Sequence, residues 1–293
     1  LDFPDEYFDL AYAISVFTHL AEERQFAWLN ELRRVTRPGG VASRSALTAS
    51  AGPTYARGAM PGDAVLLAID GPVARITLNR PEVLNAGDAG WVADLTDVVA
   101  RIGARPDLRL AVIGGAGRAF STGVDLKALA EGRVALPHFV AWEEAMTAIE
   151  RMSLPFIAAI NGHCLGGGLQ LALVCDYRLA ADTATIGLPA VKECLIPSMS
   201  IYRLPRLIGS GRARELILTG EPISAARAEQ IGLVNEVVTA AGFARAVDRC
   251  IERFLALPPT AVAWSKRLLA GAFDQPFDEF RRDMEAGLRE CLA

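Results

Sequence analysis

A basic stripe, a long apolar run, a leading signal segment and a paired-cysteine pattern are all missing from this 293-residue sequence. Each absence removes a class of function. The 30 Lys and Arg residues are scattered among 34 Asp and Glu, giving a formal net charge of −4, so no face is set up to neutralise nucleic-acid phosphates. Gly, Pro or charge interrupts every apolar stretch before it could cross a bilayer, and no basic segment followed by an apolar run opens the chain. Neither a membrane span nor a signal peptide is expected. The five cysteines, Cys164, Cys175, Cys194, Cys250 and Cys291, are odd in number and widely spaced. That argues against a disulfide framework and for a reduced, cytoplasmic setting. No CxxC or HxxxH occurs among these cysteines and the three histidines, so no metal site is expected, and all five thiols read as small buried hydrophobes.

What is present is material for a core. With 52% hydrophobic and 22% charged residues the composition is that of a globular protein, and the length suits one full domain with an appendage. Three stretches follow from the change in pattern: residues 1–42, a linker at 43–62 rich in Ser, Ala, Gly and Pro, and a domain at 63–293.

In the first stretch an acid-rich start leads to an apolar strand at Phe8–Val16, then a helix at Glu22–Val35, then a turn at Arg37-Pro38-Gly39-Gly40. Residues 1–40 resemble a middle piece of the class I S-adenosylmethionine-dependent methyltransferases, whose "FPD..FD", "VF.HL" and "LRRV..PGG" segments they match. In that family the cofactor is received by a glycine-rich loop that would precede Leu1. A strand and helix without the rest of their sheet cannot cover both faces, so this piece is expected to be a non-functional remnant of a fusion or of a gene-boundary error.

From Asp63 the pattern is regular. Val65–Ile69 and Val73–Leu78 are β-rich runs separated by Asp70-Gly71-Pro72, a hairpin signal. Asp88–Ile102 places Trp91, Leu95, Val98, Val99 and Ile102 on one helical stripe. A strand at Leu110–Ile113, a glycine-rich loop, a helix near Val140–Met152 and a strand at Phe156–Ile160 entering a second glycine-rich loop follow. This alternation predicts an α/β fold of parallel βαβ units. Beyond Gly220 four helices are expected, at Ser224–Ile231 with Gly232 as its stop, Phe243–Leu257, Pro259–Ala270 and Phe277–Leu292.

Three motifs occur in order: Ile76-Thr77-Leu78-Asn79-Arg80-Pro81-Glu82-Val83-Leu84-Asn85-Ala86, then Gly115-Ala116-Gly117-Arg118-Ala119-Phe120-Ser121-Thr122-Gly123-Val124-Asp125-Leu126-Lys127, then Pro155 through Asn161-Gly162-His163-Cys164-Leu165-Gly166-Gly167-Gly168. Downstream, Leu218–Ala225 and Gly232-Leu233-Val234-Asn235 continue the pattern. Over about 230 residues the chain resembles the crotonase (enoyl-CoA hydratase/isomerase) superfamily. The glycines carry physical sense on their own. Thioester chemistry at the α- or β-carbon passes through an enolate-like state, and backbone N–H groups at a strand-to-helix turn can meet its oxygen because no Cβ stands in the way.

The resemblance implies a βαβ spiral core, a C-terminal helical region that builds trimers or dimers of trimers, and an acyl-CoA thioester as ligand. Coenzyme A enters as part of the substrate, and no metal or redox cofactor is implied. Val124 and Gly167 take the places of the oxyanion-hole donors. Val83, Leu84, Ala86, Ser121, Gly123, Asp125, Leu126, Leu165 and Gly166 match substrate- or coenzyme-binding positions. Lys266 matches a basic residue for the ligand's phosphate, a solvated helix lysine being the plain alternative. His163 reads as a structural residue beside the loop. The chain departs from the family where hydratases carry two glutamates: Gln170 and Ala190 stand there. Neither can exchange a proton, so plain hydration is not expected. Glu193, and less directly Tyr202, are the groups that could compensate; Glu193 beside Lys192 also reads as a surface charge. A decarboxylase of the same superfamily and a non-catalytic acyl-CoA-binding or partner subunit remain alternative readings.

Overall fold

A computed structural model describes residues 64–293, together with the backbone of two strands, β1 (Phe8–Tyr12) and β2 (Thr36–Ser43). These two pair in parallel as a sheet of their own. The turn expected at Arg37–Gly40 lies inside β2, as do Val41 and Ser43, which adjoin or open the expected linker. The register passes from Phe8↔Thr36 to Leu10↔Val41, so the Pro-Gly-Gly stretch survives as an irregularity within a paired strand. The expected helix at 22–35, the end of the strand beyond Tyr12 and the remaining linker lie outside the described residues.

The domain begins with β3 (Val65–Asp70) and β4 (Val73–Leu78), an antiparallel hairpin turning at Gly71-Pro72. Helix α1 (Ala89–Gly103) follows; Asp88 caps it by accepting a hydrogen bond from the Trp91 N–H at 3.0 Å. Its stripe of Trp91, Leu95, Val98, Val99 and Ile102 is fully buried, each side chain contributing roughly 1.5–3 kcal/mol relative to exposure.

A motif then repeats in which one strand joins a large sheet, a second joins a small sheet, and a helix returns the chain. β5 (Leu110–Gly115) and β6 (Ala119–Ser121) lead through the short α2 (Leu126–Ala130) to α3 (Leu136–Arg151). β7 (Phe156–Ile160) and β8 (His163–Leu165) lead to α4 (Gly167–Leu173). β9 (Tyr177–Ala181) and β10 (Thr185–Gly187) lead to α5 (Ser200–Ile208) and α6 (Ser210–Thr219). The last turn holds β11 (Ile223–Ser224), α7 (Ala225–Gln230) and β12 (Glu236–Val238). The large sheet runs β12-β9-β7-β5-β4-β3 and the small one β11-β10-β8-β6; all pairs are parallel except β3 with β4 and β10 with β11. This is the expected α/β spiral of parallel units.

The apolar runs of β5 and β7 are buried on both faces, as parallel strands must be. Leu110, Val112 and Ile157 point to Val247, Cys250 and Ile251 of α8 (Phe243–Leu255), while Ala111, Ile113 and Ala158 join the main core with α1. The chain ends in α9 (Pro259–Gly271) and α10 (Phe277–Leu292), completing the helical C-terminal region. No helix among the described residues is long and apolar enough to cross a membrane. All five cysteines are free, but only Cys164, Cys175 and Cys250 are buried. Cys194 and Cys291 are exposed, against expectation: one caps a turn at the surface and the other sits in the final turn of α10.

Candidate active site

The two glycine loops meet at the C-terminal ends of β6 and β8. Asn85, fully buried, anchors the first: its amide donates to the carbonyls of Ala116, Ala119 and Phe120. Ser121 Oγ donates to Asn85 O at 2.8 Å and accepts from the Gly123 N–H at 3.2 Å. Beyond it Gly87 pairs with Val124 in an isolated parallel bridge, where the Gly87 N–H donates to Gly123 O at 2.7 Å and the Asp125 N–H donates to Gly87 O at 2.8 Å. The Gly123 carbonyl and the Val124 N–H belong to one planar trans peptide and point in opposite directions. With the carbonyl committed to Gly87, the Val124 N–H faces away from it.

In the second loop the chain leaves β8 through Gly166 and enters α4 at Gly167, whose N–H is among the first-turn donors without an intrahelical acceptor. Gly123, at φ +89°, is pressed against it: a Cβ there would stand 2.5 Å from the Gly167 nitrogen. A Cβ on Gly167 would lie 2.7 Å from Cζ2 of Trp142. Both loops therefore approach each other as bare backbone.

A cavity of about 390 Å³ opens over this junction. Val83, Ala86, Val124, Asp125, Leu126, Leu165, Gly166, Gly167, Gln170, Ala190 and Glu193 all line it. Leu84, Ser121 and Gly123 do not. Ser121 and Gly123 act behind the wall, through the bonds just described, and the Leu84 carbonyl accepts from the Thr122 N–H at 3.1 Å. Lys266 is elsewhere: its ammonium donates to Asp176 at 2.8 Å and to the carbonyls of Leu154 and Ile149, tying α9 to the end of α3 rather than reaching the cavity or standing free in solvent. Tyr202 bonds Asp274 and stacks under the Arg206 guanidinium, outside the cavity. His163, at the start of β8, does not line it either.

Two carboxylates face this cavity among the described residues. Asp125 caps α2 by accepting from the Ala128 N–H at 3.0 Å and lies 3.5 Å from Arg80, whose guanidinium also reaches Asp88 and donates to Ala86 O. Its charge holds the loop together. Glu193 ends a 3-10 turn, Pro189–Glu193, stopped by Cys194 in the left-handed conformation at φ +52°. The N–H groups of Cys194 and Leu195 both return to Ala190 O, so the turn curls and brings Glu193 to the same wall as Ala190 and Gln170.

Sequence reasoning missed one side of the cavity. Phe139, Trp142 and Met146 of α3 line it, as do Leu195, Ile196 and Ser198. Trp142 stacks on Trp91 with centroids 4.7 Å apart, which wedges α3 against the Gly167 turn. Phe139, Trp142 and Met146 recur at helical spacing, the signal by which this wall was legible.

A profile described as enoyl-CoA hydratase/isomerase matches residues 68–290, and a methyltransferase-domain profile matches residues 1–43. The (E)-benzylidenesuccinyl-CoA hydratase of Thauera aromatica is 37% identical over 228 residues, covering 73% of this chain and 85% of that protein. The carnitinyl-CoA dehydratase of Citrobacter koseri is 34% identical over 220 residues, covering 74% and 84% respectively. Among solved structures, an enoyl-CoA hydratase subunit I from Geobacillus kaustophilus superposes with a TM-score of 0.72 at 32% identity, over 80% of this chain and 91% of that one.

Proposed function

The chain belongs to the enoyl-CoA hydratase/isomerase family, and from that premise we propose that it binds an acyl-CoA thioester and stabilises the enolate formed from it. The observation that carries this reading is the Gly87–Val124 bridge, which turns one N–H away from its own loop while Gly123 lies against the next donor at Gly167. Two such N–H groups held by backbone geometry can share the charge on a thioester oxygen, and a donor of this kind is commonly worth ~2.7–4 kcal/mol. The apolar Val83, Ala86 and Leu126 would flank the pantetheine arm.

Gln170 and Ala190 supply no proton, so Glu193 is proposed as the transferring group. One carboxylate suits a shuttle better than hydration by two acids. With a 3-enoyl thioester, Glu193 would remove a proton from C2, the C–H electron pair passing into the enolate held by the two N–H groups. Delivery of that proton to C4 then leaves the double bond between C2 and C3. Retained binding without turnover would instead favour the partner-subunit reading, which the absence of titratable groups at positions 170 and 190 supports.

The test is to incubate the full chain with crotonyl-, 3-enoyl- and malonyl-type thioesters in heavy water, following products by chromatography and mass spectrometry. Isomerisation is expected, with deuterium entering C4 to the extent that the proton held on Glu193 exchanges with solvent before delivery, and turnover falling at least ~10²-fold in Glu193→Gln with thioester affinity retained. Full activity in that variant would remove Glu193 from the mechanism. Self-association through the C-terminal helices is part of the proposal, because Leu269, Phe273, Phe277 and Leu292 are exposed there. A monomer in sedimentation experiments would remove that part.

A further inference from the structure

A second cavity, of about 550 Å³, adjoins the first, and two residues, Phe139 and Ser198, line both. Leu136 and Val140, on the first turns of α3, form its apolar side. Leu136 is 75% exposed and Ile196, on the rim of the first cavity, 76% exposed, so folding leaves large apolar side chains in water around the two openings. Ser198 sits at φ +42°, in the left-handed region that side chains rarely adopt. That strained position places a small side chain, together with Phe139, on the lining that the two cavities share.

The charges around the second cavity leave little to select a charged ligand. Glu143 is paired with the buried Arg203 guanidinium at 2.6 Å, and Glu144 and Arg151 bear opposite signs. What remains for a ligand is the apolar surface.

We infer that the two cavities accept one extended acyl group, its reacting carbons in the first and its uncharged aliphatic tail passing between Phe139 and Ser198 into the second. This rests on the proposed reading of the first cavity as a thioester site. The substrate class is then a thioester whose chain runs well past the reacting carbons, in preference to a four-carbon one. Each methylene moved from water onto a half-open apolar wall should tighten binding about twofold, half the logarithmic gain of full burial.

The experiment is calorimetric titration of the full chain with butyryl-, octanoyl- and dodecanoyl-CoA, which are saturated and do not turn over. Affinity should rise at least tenfold from butyryl to dodecanoyl. Leu136→Asp, at an exposed first-turn position where an acid suits the helix dipole, should cut the dodecanoyl-to-butyryl ratio several-fold. Ser198→Trp, closing the passage from the other side, should cut it further. If butyryl-CoA binds and affinity is flat or falls with chain length, the inference is overturned while the thioester site stands. If the wild-type ratio rises but neither variant alters it, the tail lies elsewhere and the inference also fails. Binding of no acyl-CoA at all would defeat the thioester site and this inference with it.

Discussion

Two walls face each other across the first cavity, and they are built in different ways. One consists of the 121–125 and 165–168 loops, seated on buried parallel strands and clamped by Asn85, Ser121 and the Arg80 ion pairs. The other is the 189–198 segment, a 3-10 turn followed by chain with two non-glycine residues, Cys194 and Ser198, in left-handed conformations. The first wall offers peptide groups and carries the glycines of the motifs by which the chain resembles its family. The second offers side chains, and Ala190 on it and Gln170 beside it are the positions where the resemblance would place a hydratase's two glutamates. On the proposed reading, polarisation of a carbonyl would reside in backbone placement and proton transfer in the identity of one or two side chains, and the two can part company within one fold.

The most forceful way to sharpen the contrast is to restore the acids. On the proposed reading, Gln170→Glu together with Ala190→Glu should raise hydration of crotonyl-CoA by several orders of magnitude, at ~10²–10⁴ per acid–base group, while either change alone does little. The rate of loss of the conjugated thioester measures it. If the double variant binds crotonyl-CoA and gains nothing, the cavity differs from a hydratase in more than its acids.

Damage to the first wall should be next in size. In Gly167→Val the new Cβ meets the Trp142 ring and Gly123, and on the proposed reading the added side chain also disturbs the oxyanion donor, so turnover should fall at least ~10²-fold. A thermal unfolding curve close to that of the parent would separate this loss from misfolding. Unchanged turnover would make Gly167 a packing glycine.

Thiol chemistry offers a milder comparison. Cys164, on β8 beneath the first wall, has its thiol pushed well up by burial, and Cys175 is pushed up to about 12 for the same reason. Both stay protonated as the pH rises towards 9. Cys194 on the second wall, exposed where Cys164 is buried, should be alkylated at least ~10-fold faster than Cys164, as read by peptide mass mapping. Equal rates would show that the first wall opens as readily as the second. The smallest effect is expected from deleting residues 1–58: thioester affinity should stay within about threefold, because the described residues that line the cavity all follow Glu82. A large loss with the fold intact would assign that segment a part in binding.

The long elements were legible because their signals are long. The α1 stripe, the apolar run of β7 and the span of α10 all match what the residues dictate. The small sheet was not, since β6, β8, β10 and β11 have two or three residues each and no alternation can register over so few. Within the site, eleven expected positions came to one cavity, yet the Trp142 side escaped because no family motif covers α3: Trp142 and Met146 fell inside the helix inferred near Val140–Met152 without being assigned to the site, and Phe139 fell just before it. The misplaced turn at Arg37–Gly40 has the complementary cause: local Pro-Gly-Gly chemistry was read correctly as irregular, but pairing with a distant strand decides whether an irregularity ends a strand or only distorts one.

The peptide plane between Gly123 and Val124 has a consequence for how this protein can drift in sequence. What that position contributes is a direction fixed by its neighbours' pairing, so its side chain is a bystander to the task proposed for it. Alanine, isoleucine or serine at position 124 would keep the same N–H aimed the same way, and proline alone would delete it. A library of small side chains there should look permissive with proline as its one forbidden letter, so a position on which the proposed task depends would pass for a neutral one in any survey that scores residues by the identity of their side chains.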